Sequence, residues 1–301
     1  MAAQRTEVEI GGRTLSVSNL DKVLYPEVGF TKAEVIDYYV RIAPVLLLHL
    51  GDRGITMRRF PDGVDAGSFF EKRCPSHRPE WVQAVDGPGD RGGAIGYCCL
   101  AEAAALAWAA NLAAIELHAP MARAADIESP TMVVFDLDPG PGTAMAECAE
   151  VGLWIRDTVV GIGLTAYPKT SGSKGLQVYL PLNSPHSHEH VSSFALAVAQ
   201  VLERAHPALI VTTQAKAART GKVLIDWSQN SRHKTTICAY SLRARPHPTV
   251  STPVTWDEVA AAAVGEPLSF ESADVLARVE ELGDLFAPTV TEVQELPAPR
   301  P

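Results

Sequence analysis

The feature that most constrains this chain is an apolar, strand-forming run that carries two carboxylates. Residues 131–138 read Thr-Met-Val-Val-Phe-Asp-Leu-Asp, and Pro-Gly-Pro-Gly follows them. The β-branched and aromatic residues favour a strand, and the Pro/Gly run ends it. Because alternate side chains of a strand point to opposite faces, Asp136 and Asp138 share one face while the apolar residues take the other. The pattern predicts a sheet with one core face and one polar face.

The two aspartates indicate a divalent-metal site. Neighbouring carboxylates repel each other unless a cation or a proton compensates, and hard oxygen donors suit magnesium or manganese. A second apolar strand, Lys222-Val-Leu-Ile-Asp226, ends in a third carboxylate. At the same level of the sheet, Asp226 would complete a two-metal site that activates a 3′-hydroxyl and stabilises a pyrophosphate leaving group. The alternatives are solvated strand-end aspartates and, for Asp226, a helix cap or turn.

A turn rich in Gly and Ser lies between these two strands. Thr170-Ser-Gly-Ser-Lys-Gly175 offers backbone N–H groups, hydroxyls and a cation, which suit a triphosphate. It is not a Walker loop, and a bare turn is the alternative. Arg219, Lys234 and Arg243 bracket Asp226 and suit neutralisation of phosphate charge, unless each is an ordinary surface residue.

The remaining elements mix helices and strands, which predicts an α+β protein of two lobes, the second built on a sheet covered by helices. Thr31 and Glu34 form a capping box for a helix that runs toward Ile42 and that Pro44 ends or kinks. Residues 61–95 predict mainly loops. The other predicted elements are helices over 100–117, 143–160 and 191–205, strands over 175–182, 223–227 and 235–240, and short helices within 256–285. Residues 287–301 contain four prolines and predict a disordered tail or a linker.

The charge is distributed unevenly. The net charge is −9, yet residues 168–245 contain ten Lys or Arg and only three acidic residues, while 254–301 contain two basic and ten acidic residues. A basic segment of this kind predicts a phosphate-facing surface, with an ordinary solvated face as the alternative. No apolar run approaches the length of a membrane helix, and residues 1–13 lack the apolar core of a signal peptide. We therefore expect a cytoplasmic protein.

The five cysteines show no pattern. They are Cys74, Cys98, Cys99, Cys148 and Cys238. An odd, scattered set does not predict a disulfide framework, and the spacing fits no usual zinc site. We expect buried or idle thiols.

Taken together, these motifs resemble the archaeo-eukaryotic primase superfamily and, within it, the polymerase domains of bacterial ATP-dependent DNA ligase D. The resemblance runs from Asn19 to about Asp284. The matching stretches begin at Asn19 (NLDKVLYP), Phe69 (FFEK), Phe135 (FDLDPG), Thr170 (TSGSKGL), Asp226 (DWSQN), Lys234 (KTTI) and Tyr240 (YSLR). The resemblance implies a two-lobed primase-polymerase fold with an RRM-like catalytic sheet covered by helices over residues 1–286, followed by a tail or linker over 287–301.

The resemblance also implies roles for individual residues. Asp136, Asp138 and Asp226 match the catalytic carboxylates that hold two Mn²⁺ or Mg²⁺ ions. The nucleotide-binding set comprises His118, which contributes to ribose recognition, and Ser171, Lys174, Gln177, Arg219, Lys234 and Arg243. Asn19, Lys22 and Lys32 match a pocket for the 5′-phosphate of a downstream strand, and Phe69 and Phe70 match an aromatic pair that stacks on template bases.

One position departs from the family pattern. The second motif usually ends Lys-Gly-Leu-His, and this chain has Gln177 where the histidine is expected. Glutamine can donate a hydrogen bond but carries no charge. Because the three carboxylates are intact, we expect activity, at a lower rate or with an altered nucleotide preference.

The implied function is template-directed addition of ribo- or deoxynucleotides to gapped, nicked or overhanging 5′-phosphorylated DNA in repair such as non-homologous end joining. The implied partners are DNA, NTP or dNTP, the Ku protein and a DNA ligase. The implied location is the bacterial cytoplasm, at the nucleoid and not at a membrane. Because no Lys-x-Asp-Gly ligase signature or nuclease-like segment occurs, we expect a stand-alone polymerase or an isolated domain.

Two competing interpretations remain. One is a DNA-end binder that recognises a 5′-phosphate and has lost catalysis through Gln177. The other is an Asp-x-Asp phosphatase of the haloacid-dehalogenase type. The phosphatase is disfavoured because Pro-Gly follows the second aspartate where Gly-Thr is usual, and because that motif normally lies near the chain start.

Overall fold

The computed structural model describes residues 5–89 and 92–298, which divide into two compact units. The first unit contains the chain up to Pro120 together with 237–251 and 270–283, and the second contains 121–236, 252–269 and the chain from Asp284. This division agrees with the two predicted lobes. Three short stretches lie outside the described residues. They are residues 1–4, which belong to the segment tested for a signal peptide, residues 90–91 of the predicted loop region, and residues 299–301 of the predicted tail.

The first unit mixes short strands with helices. Its strands are β1 (Arg5–Ile10), β2 (Arg13–Ser18), β3 (Val23–Tyr25), β4 (Phe30–Thr31), β5 (Thr56–Arg59), β6 (Phe69–Glu71), β7 (Gln83–Pro88), β8 (Ala94–Cys99) and β9 (Ala114–Ala119). Its helices are α1 (Lys32–Leu50), α2 (Ala103–Asn111) and α6 (Ser272–Leu282). Strands β9, β5 and β6 form an antiparallel sheet in that order, and β1–β2, β3–β4 and β7–β8 form antiparallel pairs.

The capping box at Thr31 and Glu34 is confirmed as the start of α1. Of the two predicted effects of Pro44, an end of the helix is wrong, because α1 continues through Pro44 to Leu50. A kink at Pro44 stays a prediction. Leu46 and Leu50 are both fully buried. Burial of that apolar surface outweighs the backbone hydrogen bond that proline removes.

Two further predictions in this unit need correction. The predicted helix over 100–117 is only α2, because Ala113 adopts a positive φ of 57° and the chain then enters strand β9. The prediction that loops dominate residues 61–95 is confirmed for the described residues, although β6, β7 and the start of β8 also lie there. The strand predicted over 235–240 is only β17 (Thr236–Ile237), where the chain re-enters this unit beside β9, and it does not pair with strand 223–226.

The expectation that the cysteines are all free thiols is wrong for two of them. Cys74 and Cys98 form a disulfide, whereas Cys99, Cys148 and Cys238 are free. The Cys74 N–H donates to the Gly96 carbonyl at 2.8 Å, which places residue 74 beside β8. The two cysteines are 24 residues apart, so only the tertiary pairing shows that they meet.

The second unit is built on a five-stranded sheet of order β13-β14-β12-β16-β15. Its strands are β10 (Ala122–Arg123), β11 (Asp126–Pro130), β12 (Met132–Pro139), β13 (Tyr167–Thr170), β14 (Leu176–Pro181), β15 (Ile210–Val211) and β16 (Val223–Asp226). Its helices are α3 (Met145–Val160), α4 (His188–Ala205), α5 (Trp256–Ala263) and α7 (Pro288–Thr291). The strands predicted at 131–138, 175–182 and 223–227 and the helices predicted at 143–160 and 191–205 are confirmed.

Helix α3 covers the apolar face of this sheet. Gly152 lets the helix approach closely, since a Cβ atom there would lie 2.7 Å from the Leu176 side chain and 3.7 Å from that of Leu137. Phe135 and Leu137 of β12 are fully buried on the same face, as predicted. The carboxylates of β12 therefore point away from α3.

The described part of the predicted tail lies against this unit. The side-chain amide of Gln294 donates to the Pro181 and Thr165 carbonyls at 2.9 and 3.2 Å. Asn183 donates to the Thr289 and Glu292 carbonyls at 3.1 and 2.8 Å. The domain boundary at residue 286 stays a prediction.

None of the helices in 5–89 and 92–298 combines the length and apolarity needed to cross a bilayer.

Candidate active site

One face of the five-stranded sheet carries a cross-strand row of four polar side chains. Lys169 on β13 pairs with Gln177 on β14, Gln177 pairs with Asp136 on β12, and Asp136 pairs with Asp226 on β16. Directly opposed residues point to the same face of a sheet. Asp138 lies two residues along β12 and shares that face. The structure thus brings the three predicted carboxylates together, and their assignment as metal ligands stays a prediction.

Hydrogen bonds link three members of this row into a chain. The Gln177 Nε2 atom donates to Asp136 Oδ1 at 2.9 Å, and the Lys169 ammonium donates to Gln177 Oε1 at 2.5 Å. The Tyr179 hydroxyl also donates to Gln177 Oε1, at 3.2 Å. Lys169 and Gln177 are 1% and 3% exposed, so both polar groups are buried and both are hydrogen-bonded. Lys169 was missed by sequence reasoning, because only the pairing of β13 with β14 places it opposite Gln177.

Asp226 is held by protein donors at the end of β16. Its Oδ1 atom accepts from the Ser228 backbone N–H at 2.9 Å, the Ser228 hydroxyl at 2.6 Å and Gln214 Nε2 at 2.9 Å, while Oδ2 accepts from Gln229 at 3.2 Å. Asp226 therefore caps the short 3-10 helix that follows it. This helix cap is the role that the sequence offered as the alternative to metal binding. Oδ1 accepts three of these hydrogen bonds and Oδ2 accepts one, so Oδ2 has a lone pair available for another ligand.

Electrostatics make this face favourable for a cation. Burial, the Asp138 charge and the Asp226 charge raise the pKa of Asp136 to about 7, against the opposing hydrogen bond from Gln177 and the charge of Lys169. A divalent ion would relieve this repulsion, and carboxylate oxygens are the donors that Mg²⁺ and Mn²⁺ prefer. No group of three His, Cys, Asp or Glu side chains within 5–89 and 92–298 is already arranged to hold a metal. The fit of a divalent ion to this site therefore rests on the carboxylate oxygens as donors and on their negative charge.

We predict that Asp136→Asn stabilises the metal-free protein at pH 8. A carboxyl whose pKa rises from 3.8 unfolded to about 7 folded favours folding only while protonated, so stability falls as pH rises through this range. Allowing for partial solvent exposure, the gain is roughly 1–2 kcal/mol at pH 8 and shrinks toward pH 5. Thermal unfolding at both pH values, with and without Mn²⁺, measures this. Mn²⁺ should stabilise the unaltered protein more than the variant. Equal stability of the two at pH 8 would contradict the prediction.

The turn between β13 and β14 closes on itself beside the carboxylates. The Ser171 hydroxyl accepts from the Ser173 and Gly175 N–H groups at 3.2 and 3.1 Å, and the Ser171 N–H donates to the Gly175 carbonyl. Gly172 has a φ of +67°, which favours glycine. The Lys174 side chain is exposed. The predicted triphosphate turn is therefore ordered, with its cation presented to solvent.

Arg219 is connected to Asp226 through Gln214. Its Nη2 atom donates to the Gln214 backbone carbonyl at 2.8 Å and to the side-chain oxygen at 2.9 Å. Gln214 in turn donates to Asp226. The Arg219 Nε atom is buried and has no hydrogen-bond partner among the described residues. Lys234 lies in the turn after Ser231 and is exposed.

In the first unit, a buried glutamate gathers the two other predicted nucleotide-binding residues. Glu116 on β9 is 1% exposed and accepts from His118 Nε2 at 3.1 Å, Arg58 Nη1 at 3.4 Å and the Ala244 N–H at 3.2 Å. The Arg243 Nε atom lies 3.4 Å from its other oxygen. Sequence reasoning missed Glu116 because this segment was predicted as helix, whereas a Glu in a buried strand would have stood out.

The charges in this cluster are well compensated. Burial raises the pKa of Glu116, but the His118 hydrogen bond and the Arg243 charge outweigh it and lower the pKa to about 2. Burial also lowers the pKa of His118, although Glu116 opposes that shift. Near pH 7 the cluster therefore contains an ionised Glu116 and a neutral His118.

The predicted template-stacking pair is exposed on β6. Phe69 and Phe70 are 45% and 56% exposed, so neither packs in the core. Arg59 lies over the Phe69 ring and Arg58 over the Phe70 ring, at 5.2 and 5.3 Å from the centroids. The pair borders a cavity of about 670 Å³ whose basic lining residues are Lys72, Arg73 and Arg78. Aromatic faces beside cations suit a single strand of nucleic acid.

The three residues of the predicted 5′-phosphate pocket lie together at the start of α1. The Lys22 N–H donates to the Asn19 carbonyl, and the Lys32 N–H donates to the Lys22 carbonyl. The Lys32 ammonium donates to the Ser18 carbonyl at 2.6 Å, and that of Lys22 to Asp62 at 2.8 Å. Burial, Lys22 and Arg59 lower the pKa of Lys32 to about 8. Two lysines near a helix N-terminus suit an anion, although Lys22 is paired with Asp62.

Fold and site together define a nucleotidyltransferase of the primase-polymerase type, and the comparisons with known proteins agree. The family model described as "LigD, primase-polymerase domain" matches residues 31–286. The chain therefore belongs to the LigD primase-polymerase domain family. One matching structure is the "Polymerase Domain from Mycobacterium tuberculosis Ligase D in complex with DNA", with a TM-score of 0.86 and 42% identity over 93% of this chain and 99% of that chain. The predicted α+β fold and enzyme class are confirmed.

Two curated relatives illustrate the extent of the similarity. The Multifunctional non-homologous end joining protein LigD of Mycolicibacterium smegmatis is 45% identical over 274 residues, which cover 90% of this chain and 35% of that protein. The Bifunctional non-homologous end joining protein LigD of Bacillus subtilis is 30% identical over 274 residues, covering 90% of this chain and 43% of that protein. The chain thus spans well under half the length of these relatives.

Proposed function

We propose that this chain fills short gaps and extends DNA ends during bacterial non-homologous end joining, under the direction of a template strand. The observation that carries the proposal is the convergence of Asp136, Asp138 and Asp226 on one sheet face in a chain of this family. Relatives named for end joining and a neighbour solved with DNA support the choice of substrate. A Ku protein and a DNA ligase are the proposed partners, at the nucleoid in the cytoplasm.

In the proposed reaction, a primer 3′-oxygen attacks the α-phosphorus of a nucleoside triphosphate and pyrophosphate leaves. Asp136, Asp138 and Asp226 would hold two Mn²⁺ or Mg²⁺ ions, which when bound supply Lewis-acid activation and charge neutralisation. Gln177 fixes Asp136, and Gln214 with Ser228 fixes Asp226.

Triphosphate binding is assigned to cations that the second unit presents. Lys174 in the 170–175 turn and Lys234 are exposed, while the Arg219 Nε–H group has no acceptor within the described part of the chain. Positive groups near the transferred phosphate stabilise charge in the transition state. Ser171 shapes the turn and is the proposed hydroxyl contact.

Nucleotide selection is assigned to the Glu116 cluster of the first unit. Glu116 holds His118 and Arg243, so both side chains are oriented before any nucleotide arrives. A neutral His118 can donate to or accept from a ribose hydroxyl. We therefore expect ribonucleotides to be accepted and preferred.

Primer extension with Mn²⁺ on a gapped duplex tests the proposal. The unaltered protein should add one or a few template-matched nucleotides, with a higher kcat/KM for ATP than for dATP opposite the same base. Release of phosphate without extension would instead indicate a phosphatase. A DNA mobility shift without any addition would indicate an end-binding protein.

A second prediction concerns the 5′-phosphate. A gapped duplex with a downstream 5′-phosphate should bind about tenfold more tightly than the same duplex ending in hydroxyl, because charged hydrogen bonds contribute roughly 1.5–3 kcal/mol each. Lys22→Ala/Lys32→Ala should remove this preference and leave addition to a simple primed template nearly unchanged. Fluorescence anisotropy with both duplexes at moderate salt provides the measurement.

The matched control is Arg41→Ala/Arg278→Ala, which also removes two positive charges from the first unit. The contacts found for Arg41 are with Asp37 and Glu280, and Arg278 lies over Phe270. This control should retain the phosphate preference. If the unaltered protein binds both duplexes equally, or if the control loses the preference as well, the pocket assignment is wrong.

A further inference from the structure

A buried lysine stands at one end of the polar row, away from the predicted metal ligands. Lys169 is 1% exposed, and its ammonium lies 2.5 Å from Gln177 Oε1 and 5.4 Å from the Tyr179 ring centroid. Burying an ammonium is unfavourable unless other groups compensate it. The Gln177 oxygen, the Tyr179 ring and the charge of Asp136 contribute to this compensation.

Lys169 and Asp136 favour the same orientation of the Gln177 amide. An ammonium can only donate hydrogen bonds, so the amide atom that faces it must be the oxygen. The amide nitrogen then has to face Asp136, where it donates at 2.9 Å. In the reversed orientation two donors would meet at Lys169, and two oxygens at Asp136. Tyr179 does not impose this choice by itself, because its hydroxyl can either donate or accept and also contacts Thr236 at 2.9 Å.

We propose that Lys169 is a positioning residue for metal binding, which acts through Gln177 to hold the Asp136 carboxylate in place. The ammonium fixes the amide, the amide fixes one carboxylate oxygen, and the other oxygen stays available to a divalent ion. This inference rests on the proposed metal-dependent function. It adds Lys169 to the site and states that Lys169 affects metal binding through Gln177 and Asp136.

Direct Mn²⁺ binding to Lys169→Met is the test. Methionine keeps the length and apolar stem of lysine and removes the ammonium. Without it the Gln177 amide loses one of the two contacts that favour its orientation, and the apparent Kd for Mn²⁺ should rise about tenfold, the size expected from losing one charge-assisted hydrogen bond. Titration with detection of free Mn²⁺ by electron paramagnetic resonance measures this on the full chain. Thermal unfolding confirms that the variant is folded.

Tyr179→Phe and Gln177→Leu provide the matched comparison. Tyr179→Phe removes the other donor to the same Gln177 oxygen but leaves Lys169 in place, so Mn²⁺ binding should stay within about twofold. Gln177→Leu should weaken binding about as much as Lys169→Met, because both release the same carboxylate oxygen. In the double variant Lys169→Met/Gln177→Leu, the loss should not exceed that of Gln177→Leu alone.

Three results would overturn the inference. Unchanged Mn²⁺ binding by Lys169→Met would show that the ammonium has no role. Additive losses in the double variant would show that Lys169 does not act through Gln177. If Lys169→Met does not fold, equal losses in Tyr179→Phe and Gln177→Leu would identify Tyr179 as the residue that orients the amide. Failure of the proposed function is seen separately, as absence of nucleotide addition by the unaltered protein.

Discussion

Alanine at Asp136, Asp138 or Asp226 should each lower nucleotide addition on the order of a thousandfold or more, because bound metal supplies several kcal/mol of transition-state stabilisation. The three carboxylates share one face of the sheet, and Asp136 and Asp226 are directly opposed across β12 and β16. Single-turnover extension of a primed template with saturating Mn²⁺ measures the chemical step without product release.

Asp157→Ala is the matched control for this series. Asp157 is an exposed aspartate of the same unit whose carboxylate pairs with its neighbour Arg156 at 2.8 Å. Its replacement removes a negative charge without touching the polar face of the sheet, and the extension rate should stay within about twofold. A carboxylate variant that is folded and extends primers near the normal rate would remove that residue from the proposed metal site.

The centre of this site could be predicted because its signal is local. A strand of alternating polarity fixes which side chains share a face, so Asp136 and Asp138 followed from spacing alone. Asp226 required one further assumption, that β16 pairs beside β12, which the structure shows with Asp136 and Asp226 in register. The Thr31 capping box was likewise readable because its hydrogen bonds join residues three positions apart.

The supporting residues could not be predicted in the same way, because their roles depend on pairing between distant segments. Lys169 gains its role from standing opposite Gln177. Glu116 was assigned to a helix, since the Ala-rich stretch before it has high helix propensity, whereas pairing with β5 places it in a strand. The Cys74–Cys98 disulfide has the same origin, because β8 must first be placed before the two thiols meet.

The second large effect is expected from Gly140→Ala and Gly175→Ala. A Cβ atom at Gly140 would lie 1.8 Å from the Arg219 carbonyl oxygen, and one at Gly175 would lie 2.2 Å from the Leu137 carbonyl oxygen. Both obstacles are backbone atoms, so no side-chain rotation relieves the clash. Each substitution should lower the free energy of unfolding by roughly 2–4 kcal/mol, at or above the usual range for overpacking. Denaturant titration, analysed with the same m-value for every variant, measures this change in the free energy of unfolding.

The same two substitutions should impair the site beyond their effect on stability. Relief of the Gly175 clash must move the 170–175 turn and Leu137 apart, and Leu137 lies between Asp136 and Asp138. Relief of the Gly140 clash must move residue 140 and the Arg219 carbonyl apart. Gly175→Ala should therefore weaken Mn²⁺ binding more than Gly140→Ala, and Gly140→Ala should raise the KM for the triphosphate more than Gly175→Ala.

Gly67→Ala is the control, since a Cβ atom there meets nothing within 4 Å. Replacing glycine at such an open position changes stability mainly by reducing the entropy of the unfolded chain, with a gain of about 0.4–1 kcal/mol. A Gly175→Ala protein as stable as Gly67→Ala, with unaltered Mn²⁺ binding, would show that the turn and β12 are not packed as closely as described.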